Sequence, residues 1–232
     1  MKPKLILKPL TAAVLIATAQ LSGVAFAQTT KAPAAPAAKA APAPVSEESQ
    51  LHFGRAIEAF ARKDYNTAAG EIRKATGYMR REAGRVTGTA RQELNSSVSE
   101  LDKLAASVEK GGVKDEKSME KDFARANHAL AQAHRAEAAE SWTRKQYNQA
   151  GRELKEAARD LKSAAGWAGA QAKAGAAGAV AGTDALGDKL ATGATWTSDE
   201  VGRGFDALGH ALNELGHEIG VKQQAAPLKP GS

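Results

Sequence analysis

YNTAAGEIRKATGYMRREAG, from Tyr65 to Gly84, returns in altered form as YNQAGRELKEAARDLKSAAG, from Tyr147 to Gly166. The offset is 82 residues. Working outward at that offset, Arg62-Lys63 falls on Arg144-Lys145, Phe60 on Trp142, Glu58 on Glu140 and His52 on His134. Alanine-rich chains produce chance identities, but a shared Arg-Lys-x-Tyr-Asn is not an alanine effect. Each copy is also helical by pattern. Tyr65, Ala68, Ile72, Ala75, Met79 and Ala83 step by threes and fours, which puts them on one face of a helix. The same stripe continues through Val86, Ala90, Leu94, Val98, Leu101, Ala105 and Val108. All eight prolines lie outside Ser46–Ala226, so nothing in that span breaks a helix interior. No apolar–polar alternation of the strand type occurs there. The sequence predicts an all-α fold: an antiparallel bundle of two duplicated helix-turn-helix units plus a C-terminal amphipathic helix.

The predicted elements follow. A first helix runs from Ser46, as N-cap, to Arg62, with Glu47 and Glu48 at the positive end of its dipole. A turn at Lys63-Asp64 leads into one long helix that Gly111-Gly112 stops. A third helix begins near Asp115, carries Met119, Phe123, Ala126 and Leu130 inward, and ends around Lys145. A fourth starts near Tyr147 and weakens through Gly175, Gly178 and Gly182. The bundle thus spans 46–192, with units of about 46–112 and 113–192.

The spacing Tyr65, Ala68, Ile72, Ala75, repeated as Tyr147, Ala150, Leu154, Ala157, resembles the second helix of a tetratricopeptide repeat. That resemblance implies close helix approach at the small residues and an aromatic at the turn. It covers about a dozen residues per unit, and the period here far exceeds the family's roughly 34 residues. The whole-chain layout, an exported cysteine-free chain of Ala-rich hairpins, is similar to YfdX-type periplasmic helical proteins. This implies an envelope stress-related protein without known catalysis.

The C-terminal segment, residues 193–221, opens on Trp196-Thr197-Ser198-Asp199-Glu200-Val201. Thr197 and Glu200 have capping-box spacing, and Trp196 and Val201 stand at the staple positions. Val201, Phe205, Leu208, Leu212, Leu215 and Ile219 then form a heptad seam, the candidate coiled-coil interface for a partner protein or a second copy. Gly202, Gly209 and Gly216 flank it every seven residues, suggesting that another backbone lies close. Docking of the seam on its own bundle is the plainer reading. Contact with a membrane surface is not favoured, because Arg203 is the one Lys or Arg between Asp199 and Gly220.

Both ends are of different character. Lys2, Lys4 and Lys8, an apolar run from Leu10 to Phe26 and the small-x-small site at Ala25–Ala27 read as a cleaved secretory signal, residues 1–27, and place the protein in the periplasm. Residues 28–45 read as an Ala/Pro-rich tether, and 222–232 as a disordered tail. Lysines in these three segments account for the positive net charge; Ser46–Val221 carries −1. Such a body lacks the cationic surplus that neutralises phosphates, so no nucleic-acid partner is expected. With no cysteine, disulfides and thiol catalysis are excluded.

His210, Glu214 and His217 share one helical line, but histidines seven apart are about 10.5 Å apart along the axis, too far for one ion. They read as a solvated face, and no metal, cofactor or catalytic residue is assigned. His52 and His134 read as structural or exposed, with a bond to a helix end or a shared cleft as the alternatives. Glu58, Glu71, Glu140 and Glu153 read as solvated, each with a Lys or Arg one turn away. Gly178 and Gly182 form GxxxG in a segment too polar to span a membrane, where close packing or fraying is expected. Phe60, Tyr65, Trp142 and Tyr147 read as core residues at the turns, or else as the lining of a cleft for a small ligand. The functional expectation is an exported, non-enzymatic protein-interaction or stress-related module. The alternative is an apolar-ligand or lipid binder with a cleft between helices.

Overall fold

The computed structural model describes residues 45–221; the expected signal, nearly all of the expected tether and the expected tail lie outside them. Within that span the chain is all-helical: α1 (Val45–Ala61), α2 (Tyr65–Arg85), α3 (Gly88–Glu109), α4 (Glu116–Thr143), α5 (Tyr147–Ala168), α6 (Ala170–Thr192) and α7 (Ser198–Ile219). The helices pack as a bundle with sequential neighbours in contact.

The duplication is carried by three helices per unit. At the same offset, Tyr65 of α2 maps to Tyr147 of α5, and Gly88 of α3 to Ala170 of α6. Two breaks were not expected. The long second helix is interrupted at Val86-Thr87, both extended. Its counterpart breaks at Gly169, whose φ of +120° suits glycine. The apolar stripe runs on unbroken because α2 and α3 turn their apolar faces to the same core. Arg91 stabilises the first break from the α3 side. Its Nε donates to the Ala83 and Val86 carbonyls at 3.1 and 2.8 Å, satisfying groups that the end of α2 leaves open. Helix α1 starts at Val45, so Ser46 lies inside its first turn rather than capping it.

The two α-turns close in the same way. Lys63 and Lys145 adopt φ of +61° and +60°. The following amides of Asp64 and Gln146 donate back to Ala59 and Ser141 at 2.9 Å, a Schellman closure. Asp64 then caps α2 by accepting from the Thr67 amide at 3.1 Å. Asp115 does the same for α4, accepting from Ser118 at 2.9 Å.

Helix α4 is the centre of the molecule. Met119, Phe123, Ala126, Leu130 and Ala133 face the first core with α1, α2 and α3. Ala124, Ala131 and Ala138 face the second with α5, α6 and α7. Phe53 stacks on Phe123 at 4.3 Å, and the Trp167 ring meets Phe123 edge-on at 5.5 Å. A polar chain ties the units together: Trp167 Nε1 donates to Gln50 at 2.8 Å, and Gln50 donates to the buried Asn127.

Candidate functional site

The heptad seam of α7 forms as expected, with Thr197 capping its start by accepting from the Glu200 amide at 3.1 Å. Val201, Phe205, Leu208, Leu212, Leu215 and Ile219 are all buried, in the core shared with α4, α5 and α6. The candidate interface is therefore covered by the chain's own bundle. Three α4 side chains fasten it from outside the seam. Arg135 Nε donates to the Phe205 carbonyl at 3.3 Å, His128 Nε2 to Leu212 at 2.9 Å, and Arg125 Nε to Ile219 at 3.1 Å.

The glycine repeat follows from this ladder. A helical side chain leans back over the preceding turn, so the residue four places on covers a carbonyl. Gly209 and Gly216 stand four after Phe205 and Leu212 and leave those carbonyls open. A Cβ at Gly209 would lie 2.7 Å from the Arg135 guanidinium, and one at Gly216 would lie 3.1 Å from His128 Nε2. The neighbours are side chains, not the backbone that the sequence suggested, and Gly202 has nothing beside it among the described residues. Burial holds the His128 imidazole below its ordinary pKa, so it sits neutral with Nε2 as donor.

The two turns keep their aromatics apart. Phe60 and Tyr65 pack together at 5.4 Å in the first core. Trp142 and Tyr147 meet at 5.0 Å in the second, joined by Trp196 at 5.0 and 4.8 Å. The four expected cleft residues thus fill two separate clusters and line none of the clefts described below.

The GxxxG pair behaves differently from either expectation. Gly175, Gly178 and Gly182 lie inside a continuous α6 with open space where a Cβ would stand. Close packing occurs instead at Gly151 of α5 and Gly187 of α6. A Cβ on Gly151 would lie 2.5 Å from the Ala191 nitrogen and 2.6 Å from the Gly187 carbonyl. In the first repeat these positions are Ala69 and Ala105.

The chemistry concentrates around His134. This histidine, at the position matching His52, is buried, and its Nδ1 lies 2.7 Å from Asp160 Oδ2. Nε2 faces Glu82 Oε1 at 3.6 Å, beyond hydrogen-bond reach. One turn along α4, Glu137 completes the group; one ligating atom each from Glu82, His134 and Glu137 lie within 4.8 Å of one another. Glu82 and Asp160 are both 0% exposed. Glu82 Oε1, Glu137 Oε2 and Asp160 Oδ1 are buried without a hydrogen-bond partner among the described residues. Arg85 holds the other Glu82 oxygen at 3.2 Å.

Burial opposes charge on His134, but Asp160 and Glu82 outweigh it and hold the imidazolium well above its ordinary pKa. Burial also works against Glu82, yet His134 and Arg85 keep it below the usual value. Burial pushes Asp160 up to about 6. Burial, then the Glu153 and Glu82 carboxylates, push Glu137 up to about 7. Glu137 also borders a cleft of about 280 Å³ lined by the α2–α3 turn, Glu93, Gln132 and Arg135.

The first repeat lacks this chemistry. His52 Nδ1 lies 2.6 Å from Glu71, and its ring stacks on Tyr78 at 5.6 Å. Tyr78 and Arg55 occupy the positions of Asp160 and Glu137. Glu71 and Glu153 are buried rather than solvated, whereas Glu58 and Glu140 are exposed as expected. His210 and Glu214 pair at 3.2 Å on the exposed face of α7. The repeat marks His134 in the sequence, but no spacing joins Glu82, Glu137 and Asp160 to it. One cue existed: the departures from the repeat at Glu137 and Asp160 both place a carboxylate beside the matched histidine. Comparisons of the chain with protein-family models, with curated proteins and with solved structures find no match to any of them.

Proposed function

We propose that the chain is an exported, non-enzymatic protein of the bacterial envelope that binds a partner protein, and that the outer face of α6 is the binding surface. The observation that carries this reading is the composition of that face. Ala174, Gly175, Ala177, Gly178, Ala181 and Gly182 are all exposed. Each exposed helical glycine costs about 1 kcal/mol relative to alanine. Among the described residues, Gly175, Gly178 and Gly182 have no neighbour that needs the missing side chain. A second helix approaching closely along this face gives them a use, as small residues do wherever helices cross at short range. The layout shared with YfdX-type proteins supports a stress-related role for such a module. No described helix is long and apolar enough to cross a membrane.

Replacing Gly178 and Gly182 by Gln tests the reading, because it should raise helix stability while blocking close approach. Sedimentation velocity of the purified protein reads self-association, and photo-crosslinking from position 181 in native envelopes reads a different partner. The expected result is a more stable protein that has lost its complex. A complex that survives both substitutions refutes the proposal.

A second reading draws on the groove between α5 and α6, of about 360 Å³, floored by Ala158, Ala165, Ala176 and Val180 with Lys162 and Lys173 at its edge. An apolar chain with an anionic head, such as a fatty acid, fits that lining. Native mass spectrometry with added oleate distinguishes it: one bound oleate, lost on Lys162→Glu with Lys173→Glu, supports this reading, and a bare mass refutes it.

A further inference from the structure

We propose that Glu82, His134 and Glu137 form a binding site for one divalent transition-metal ion of the zinc class, with Asp160 as the residue that positions the histidine. Three helices contribute: Glu82 lies in the last turn of α2, His134 and Glu137 lie one turn apart on α4, and Asp160 lies on α5. Imidazole and carboxylate together are a donor set for zinc and its neighbours rather than for calcium or magnesium.

The geometry fits a metal better than it fits a hydrogen bond. Nε2 of His134 and Oε1 of Glu82 are 3.6 Å apart. Two ligands at about 2.0–2.2 Å from a tetrahedral ion stand about 3.4 Å from each other. Asp160 holds Nδ1 at 2.7 Å, which turns Nε2 toward Glu82 and fixes the tautomer, the usual support for a metal-bound imidazole. Glu82 is fully buried, and its Oε1, the oxygen that faces His134 Nε2, has no hydrogen-bond partner among the described residues. A buried carboxylate oxygen left in that state is costly. A cation satisfies it together with the orphaned oxygen of Glu137.

Charge leads to the same place. Glu82 and Asp160 flank the imidazole, a Glu137 oxygen lies within 4.8 Å of it, and Arg85 reaches Glu82 from outside. A divalent ion balances this excess more fully than a proton does. The cleft that Glu137 borders is the side from which an ion would enter, and Glu93 adds a further carboxylate to its lining. The first repeat is an internal control, since Arg55 and Tyr78 stand where Glu137 and Asp160 stand in the second.

The test is titration of the purified, metal-stripped protein with zinc chloride by calorimetry, with native mass spectrometry for stoichiometry. One zinc per chain is expected, with a rise in melting temperature. Glu82→Gln and Glu137→Gln should each weaken binding at least tenfold. The exposed His210–Glu214 pair and His217 offer weak competing ligands, so His210→Ala with His217→Ala must leave the affinity unchanged. Asp160→Asn should weaken binding less than loss of a ligand does. Should the Gln variants fail to fold, the cobalt complex of the wild-type protein decides. An intense visible band of a low-coordinate nitrogen–oxygen site supports the assignment, and its absence overturns it. No saturable zinc binding, or binding that vanishes with His210 and His217 but survives Glu82→Gln, also overturns it.

Discussion

Gly151→Ala adds one methyl group to a helix and removes a flexible residue, which in an exposed helix gains about 1 kcal/mol. Here the opposite sign is expected. The new Cβ would stand 2.5 Å from the Ala191 nitrogen, 2.6 Å from the Gly187 carbonyl and 2.8 Å from Leu190 Cβ. Two of these are backbone atoms of α6, so no rotamer change relieves the clash and the two helices must separate. Overpacking of this kind costs about 1–3 kcal/mol, and contact with rigid backbone argues for the upper end. Subtracting the propensity gain leaves about 2 kcal/mol of destabilisation. For a domain of this size that corresponds to a melting temperature lower by about 4–8 °C. Gly178→Ala is the control. It is the same chemical change in α6 with open space around the new atom, and it should raise the melting temperature by about 2–4 °C. Thermal unfolding followed by far-ultraviolet circular dichroism measures both. If Gly151→Ala stabilises the protein as much as Gly178→Ala does, the close α5–α6 crossing is wrong.

Two further predictions concern α7. Gly216→Ala places a Cβ 3.1 Å from His128 Nε2 and disturbs its bond to Leu212, whereas Gly202→Ala meets nothing. Melting should show Gly202→Ala stabilising by about 1 kcal/mol and Gly216→Ala neutral or destabilising; equal gains would refute the ladder. The second is a pH dependence. Burial lowers the folded pKa of His128 from 6.5, so its contribution to stability is complete above pH 6.5 and is lost as pH falls toward the folded value. His134 and Asp160 act in the other direction. Their folded values are raised, so each contributes most at low pH and loses that contribution as pH rises through the folded pKa, about 6 for Asp160. The His128 effect is isolated by subtraction: the melting temperature of wild type minus that of His128→Gln should fall between pH 7.5 and pH 5. A constant difference would show that His128 is not held neutral.

Much of the molecule is legible from local pattern. The Thr197 cap, the α7 seam and the Lys63 and Lys145 turns depend on residues within a few positions of one another, where spacing and stereochemistry act directly. The break at Val86-Thr87 was hidden because periodicity reports which residues face the core, and α2 and α3 face the same one. The glycines divide on the same principle. Their spacing in α7 marked a crowded flank, but only the packed structure shows that Arg135 and His128 crowd it, and that Gly151 rather than Gly178 sits at a helix crossing.

By itself, the sequence determined the helical class, the duplication and the inward stripes, because propensity, capping and the 3.6-residue repeat are properties of contiguous chain. Tertiary structure alone decided that α7 folds back on α4. It also decided that Glu82, from the end of α2, meets His134, Glu137 and Asp160 from α4 and α5. That meeting depends on how far helices slide and turn against one another. Such offsets are fixed by the sum of many weak contacts across the core, and no short stretch of residues records them.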